Sequence, residues 1–223
     1  MTGHPLRHVA IIADTIPPAS GEPDDVVLAT LRKAAEIARA AFGTIPTLQA
    51  FSFLAPGLDP QCASDGAAVP VPESWIEGGR EIRAAAADVD AAVRLCGRVS
   101  ELPDALRSPA ATTNSPRASR TLLWYLRYGG RDEIARAAGR FLRANPGTGL
   151  GDDELEAWLD TAGVPDPDLI ILAGGRLEAR DALLWQGSYA EIWHTPVPWV
   201  RFTAVDLSRA LGDFSERQRR FGR

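Results

Sequence analysis

The chain reads as a single α/β domain spanning residues 1–223, and three features lead to that fold class. Apolar runs at His8–Ala13 and Leu169–Leu172 have the continuity of strands buried on both faces in a parallel sheet. Between them lie segments with apolar residues at helical spacing, as in Val27, Leu31, Ala34, Ala35, Ala38 and Phe42. A polar or flexible residue follows each run, Asp14 after the first and Gly174–Gly175 after the second. Those are the positions where open α/β sheets place their sites.

The remaining elements follow in order. Pro23 suits a first helical position and Gly43 ends the helix it begins. Thr47–Phe53 reads as a second strand, and the Pro/Gly/Ala-rich stretch 55–72 as a loop. Trp75–Ala87 is helical in pattern although Gly78 and Gly79 weaken it. Ala91–Cys96 and Thr121–Tyr128 are strands, separated by a polar connector over 107–119. Gly129–Gly130 turn the chain into a helix over Arg131–Ala144, with Asp132 and Glu133 favourable in its first turn. A short acidic helix over 151–160 presents Leu155, Trp158 and Leu159 on one face, and Leu207, Ala210, Leu211 and Phe214 mark an amphipathic C-terminal helix. Trp124 and Tyr125 read as core aromatics.

Composition excludes several functions. With 24 basic and 29 acidic residues the net charge is −5, which argues against nucleic acid as a partner. No apolar run approaches the roughly 20 residues of a membrane span and no signal-peptide pattern opens the chain, so a cytoplasmic location is expected, with peripheral membrane contact left open. Cys62 and Cys96 form no metal-ligand spacing and read as free thiols.

The segment Asp168–Glu191 resembles the signature of the cis-prenyltransferases, the family of undecaprenyl diphosphate synthase. Its usual form is DLxIRTxGExRxSNFLLWQxxYxE, matched by Asp168, Leu169, Ile171, Gly174, Gly175, Leu183, Leu184, Trp185, Gln186, Tyr189 and Glu191. HVAIIAD at 8–14, AFS at 50–52, YGGRDEI at 128–134 and the ending RQRRFG fall in the family's order. The resemblance implies an undecaprenyl diphosphate synthase-like fold, a central, mostly parallel six-stranded sheet flanked by helices. It implies a prenyl diphosphate substrate, Mg²⁺, and a dimer, either a homodimer or a heterodimer with a canonical cis-prenyltransferase. By the same resemblance Asp14 is the expected catalytic residue, Asp14 and Glu191 the expected metal ligands, and Ser52, Arg176, Arg180, Arg220 and Gly222 the expected substrate-binding residues.

Departures from the pattern shape the functional reading. The family's Gly-Asn-Gly-Arg phosphate loop after the catalytic aspartate is Thr15, Ile16, Pro17, Pro18, Ala19 here. Prolines donate no N–H, and no cation replaces the arginine. Two arginines and a serine that hold the homoallylic diphosphate in the family are Leu172, Glu178 and Arg180, and the motif's glutamate is Arg176. Arg176 and Arg180 could bind an anion or pair with Glu178 and Asp181. Asp14 could equally be a strand-end residue capping a turn. Two functions from different classes follow. One is a divergent enzyme performing transfer, ionisation or cyclisation of a short isoprenoid, with ordinary long-chain polyprenyl synthesis argued against. The other is a noncatalytic accessory subunit of a heteromeric cis-prenyltransferase.

Overall fold

A computed structural model of the chain describes residues 5–14, 23–56, 72–107, 118–175 and 181–217. Six strands form one sheet: β1 (His8–Ala13), β2 (Ala50–Leu54), β3 (Ala91–Gly97), β4 (Arg120–Leu126), β5 (Leu169–Ala173) and β6 (Glu191–Thr195). Their order is β3-β4-β2-β1-β5-β6, and every neighbouring pair is parallel. The helices are α1 (Pro23–Thr44), α2 (Glu73–Asp88), α3 (Asp104–Arg107), α4 (Gly130–Ala144), α5 (Asp152–Glu156) and α6 (Ala204–Glu216).

The two faces of the sheet differ. Alternate strand residues, including Val9, Ile11, Phe51, Phe53, Leu122, Trp124 and Ile171, meet α1, α2 and α6 in the main apolar core. Phe53 lies 5.1 Å from Trp199 and Trp75 stacks on Trp124 at 6.4 Å. Burying each such side chain contributes about 1.5–3 kcal/mol, which makes this layer the principal source of stability. The other face packs Ile12, Ile170 and Leu172 with Ala182 and Leu183, but it also buries His8, Ser52 and Tyr125.

The glycines of α2 serve packing. A Cβ on Gly78 would lie 2.4 Å from Leu31 Cδ1, so its absence lets α2 approach α1 closely. The residues read as core aromatics, Trp124 and Tyr125, are buried, as is the free Cys96. Strand β6 was not legible from alternation: it carries Trp193 and His194 partly buried and Ile192 exposed, the pattern of an edge strand. The acidic helix is shorter than expected and continues as turns, although Leu155 and Leu159 are buried and Trp158 packs against them as expected. The loop after Asp14, residues 57–71, the connector over 108–117, Cys62, Arg176, Glu178, Arg180, Arg220 and Gly222 lie outside the described residues.

Candidate active site

The strand order locates the site. From β1 the chain proceeds to β2 on one side of the sheet, and from β5 to β6 on the other. Crossovers diverging in this way leave a crevice beyond the carboxyl ends of the two central strands, the usual ligand position in such sheets. Asp14 stands at that crevice. Its N–H donates to Ala173 O at 2.8 Å, tying the end of β1 to the end of β5.

Gly174 and Gly175 form the opposite wall, with φ of +117° and +87°. A Cβ on Gly174 would sit 2.4 Å from the Asp14 Cβ, so glycine there is a condition for Asp14 to occupy its place. Both glycine N–H groups donate to Thr195 O, at 3.2 and 3.1 Å, which fixes this wall to the end of β6.

One strand over, a pocket of about 130 Å³ opens at the same edge, lined by Leu54, Ala55, Pro56, Tyr125, Tyr128 and Ala182, with Asp181 at its polar side. Leu54 pairs with Ile12, two residues before Asp14, so the pocket adjoins the crevice. Its volume is close to the roughly 150 Å³ of apolar cavities that admit benzene, and therefore to one short branched hydrocarbon unit. Tyr128 and Asp181 were not singled out as site residues from the sequence. Tyr128 lay within the matched YGG fragment, which was the available signal. Asp181 clamps the turn of that fragment: its carbonyl accepts Gly130 N–H at 2.6 Å and its Oδ1 accepts Arg131 N–H at 3.1 Å.

Two expected site residues lie elsewhere. Ser52 is fully buried in the middle of β2, where its hydroxyl meets His8 Nε2 at 2.8 Å and Tyr125 OH at 3.5 Å. Those two partners engage its hydroxyl inside the sheet. Glu191 begins β6 in register with Leu169, and Leu169 pairs with Val9. Asp14 is five residues further along, so the two carboxylates stand about 16 Å apart along the strands, on opposite edges of the sheet.

A divalent ion shared by Asp14 and Glu191 of one chain therefore does not fit. Glu191 instead receives Arg217 Nη1 at 3.2 Å. Among the described residues no group of three or more His, Cys, Asp or Glu gathers to hold a metal. Asp14 alone fits the other common arrangement, in which Mg²⁺ is held by one or two carboxylates together with substrate phosphates.

Several positions of the matched motifs are structural. Asp168 Oδ2 accepts the backbone N–H of Arg7 at 2.7 Å and of His8 at 3.0 Å. Gln186 donates to Glu133 and Thr161. Glu133, in the first turn of α4 as expected, is buried, and also accepts Tyr128 OH at 2.6 Å and Asp160 N–H at 2.8 Å. Burial pushes its carboxyl up from the ordinary range, against the pull of those donors. The Tyr128 hydroxyl is pushed up strongly by burial and by facing Glu133, so it stays a neutral donor. Leu172, at a position of diphosphate-holding arginine in the resembled pattern, is buried in the sheet and brings no charge to the crevice.

A sequence model described as "Putative undecaprenyl diphosphate synthase" matches residues 77–222, more than half of the chain. The chain belongs to this family. Isoprenyl transferase 1 of Corynebacterium glutamicum is 37% identical over 145 residues, covering 59% of this chain and 64% of the relative. A probable undecaprenyl diphosphate synthase from Campylobacter jejuni superposes with a TM-score of 0.71 at 20% identity, over 99% of this chain and 100% of the other. Lavandulyl diphosphate synthase from Lavandula x intermedia, crystallised with dimethylallyl diphosphate, gives 0.76 at 21% identity, over 98% of each chain. Those two likenesses establish the undecaprenyl diphosphate synthase fold. No helix among the described residues is long and apolar enough to cross a membrane.

Proposed function

We propose that this cis-prenyltransferase homologue acts on a short prenyl diphosphate, with Asp14 as the carboxylate at the reacting end and the neighbouring pocket as the hydrocarbon seat. The observation that carries the reading is their adjacency: one acid at the switch-point crevice, beside a largely apolar pocket sized for about one isoprene unit. Mg²⁺ held by Asp14 and the substrate's own phosphates would neutralise the leaving diphosphate. The chain's own part is to orient the allylic carbon against the pocket wall of Leu54 and Tyr125, and to keep water from it. Transfer, ionisation and cyclisation of a short isoprenoid all fit this arrangement, whereas a long polyprenyl product finds no room in the pocket formed by the described residues. Asp14, with Arg176, Arg180, Arg220 and Gly222, remains the residue set proposed to handle diphosphate.

Incubation of purified protein with Mg²⁺ and dimethylallyl, geranyl or farnesyl diphosphate, with and without isopentenyl diphosphate, should yield an organic product and free diphosphate. No product with any of them removes the reading.

The buried, uncharged Leu172 favours a second reading, an accessory subunit that pairs with an active cis-prenyltransferase. Co-expression with an intact homologue tests it. Co-purification with raised partner activity supports it, and separate elution with unchanged activity rejects it.

A further inference from the structure

A second concavity, of about 610 Å³, lies between the end of β3 and α4. Four arginines line it: Arg98, immediately after β3, and Arg136, Arg140 and Arg143 along α4. The three helical residues recur at i, i+4 and i+7, so α4 presents them on one face.

Carboxylates hold these cations in place without matching their number. Glu101 is shared by Arg98 at 2.9 Å and Arg127 at 3.1 Å. Asp132 is shared by Arg98 at 2.6 Å and Arg136 at 2.8 Å. Asp160 is shared by Arg136 at 2.8 Å and Arg140 at 3.6 Å, and also accepts Gly97 N–H at 2.8 Å. Arg143, exposed at the rim, has no ion pair among the described residues. Each of three acids is thus divided between two guanidinium groups, and the four arginines lining the groove meet three carboxylates among the described residues, on a chain whose net charge is −5. A purely structural ion-pair network has no need of that excess. Gly139 adds space, since a Cβ there would meet only the end of Arg143 at 3.4 Å.

We propose that this groove binds a phosphoryl group, as a soluble phosphate monoester or diphosphate, at a site separate from the Asp14 crevice. Several guanidinium forks, positioned in advance by shared carboxylates, suit the oxygens of a phosphate better than a single carboxylate would. The groove has the volume of an organic phosphate site rather than of a lone ion. β3 is three strands from β1, about 14 Å across the sheet, so one small ligand does not bridge the two sites. Because the neutralising cations belong to the protein, binding here needs no metal.

The test is calorimetric titration of the full chain with inorganic pyrophosphate in EDTA. Saturable binding is expected, weakened about tenfold by Arg143→Glu and further by Arg98→Ala/Arg143→Ala, the effect of losing charge-assisted hydrogen bonds. Thermal melts check folding, and Arg143→Glu alters an exposed residue whose replacement leaves the core untouched. Asp14→Asn should leave this affinity unchanged, which separates the result from that of the proposed reaction. No binding in EDTA, or equal binding by wild type and both variants, overturns the proposal. Co-sedimentation with phosphatidic acid vesicles in the absence of pyrophosphate binding would overturn the soluble source in favour of a lipid headgroup.

Discussion

Asp168 accepts the backbone N–H of His8 at 3.0 Å, and the same oxygen accepts that of Arg7 at 2.7 Å. The first acid of the signature segment is therefore a splint between β5 and the entry to β1, at the edge of the sheet remote from the crevice. Replacing it with Ala should cost roughly 2–4 kcal/mol, because one buried and one half-buried N–H group lose a charged acceptor. Urea unfolding measures this. A change below about 0.5 kcal/mol would show that the splint is idle.

His8 gives the fold an acid sensitivity. Burial lowers its pKa from 6.5 to about 4, against the raising effects of the Pro165 carbonyl and Asp168. A lowered folded-state pKa means the unfolded chain binds the proton more tightly. The contribution of neutral His8 is thus complete above about pH 6.5 and is lost as pH falls towards 4, by up to about 3 kcal/mol. Asp166, raised from 3.8 to about 6 by partial desolvation beside the charges of Glu156 and Asp168, acts in the opposite sense over much of that window. Asp166→Asn should therefore leave the acid loss steeper, and NMR titration should find the His8 ring neutral at pH 5.5. A His8 ring charged at that pH contradicts the account.

Gly174 and Gly175 should respond differently to alanine. Both pay for a positive φ, but only Gly174→Ala drives a Cβ into Asp14. Gly175→Ala meets nothing nearer than Pro196 Cα at 3.9 Å and should lose about 1 kcal/mol. Gly174→Ala should lose more and should depress turnover of any prenyl diphosphate substrate out of proportion to its stability. Equal effects of the two variants on turnover would count against Asp14 as the reacting-end carboxylate.

Tyr128→Phe separates the pocket wall from the buried network behind it. The ring remains, but Glu133 loses a donor at 2.6 Å, for a cost of roughly 1.5–3 kcal/mol. Turnover by the folded fraction should fall little, because the hydroxyl is committed to Glu133 and not to the pocket. A loss of turnover of a hundredfold with full stability would assign that hydroxyl to chemistry.

Arg217→Ala should change stability by less than about 1 kcal/mol, since its contact with Glu191 is a surface ion pair. Thermal unfolding checks this, and the same variant at high salt should show a smaller difference still.

Much of this was legible beforehand. The run His8–Ala13 and the 3.6-residue spacing of α1 specify their elements locally, because strands buried on both faces are continuously apolar and a core-facing helix repeats its apolar side. Asp14 and Gly174–Gly175 were recognisable for the same reason, since strand ends carry sites in parallel sheets. The burial of Ser52 and Glu133 was not legible, because burial of a polar side chain depends on partners distant in sequence: His8 for one, Gln186 and Asp160 N–H for the other.

The amino-acid order alone determined that this is an α/β chain of the cis-prenyltransferase pattern with an acid after its first strand, since those properties reside in local periodicity and short motifs. Only the tertiary structure decided that Asp14 and Glu191 face opposite edges, and that Arg98 after β3 and the arginines of α4 gather over one groove. Register and crossover direction set those distances, and neither is written in any contiguous stretch of residues.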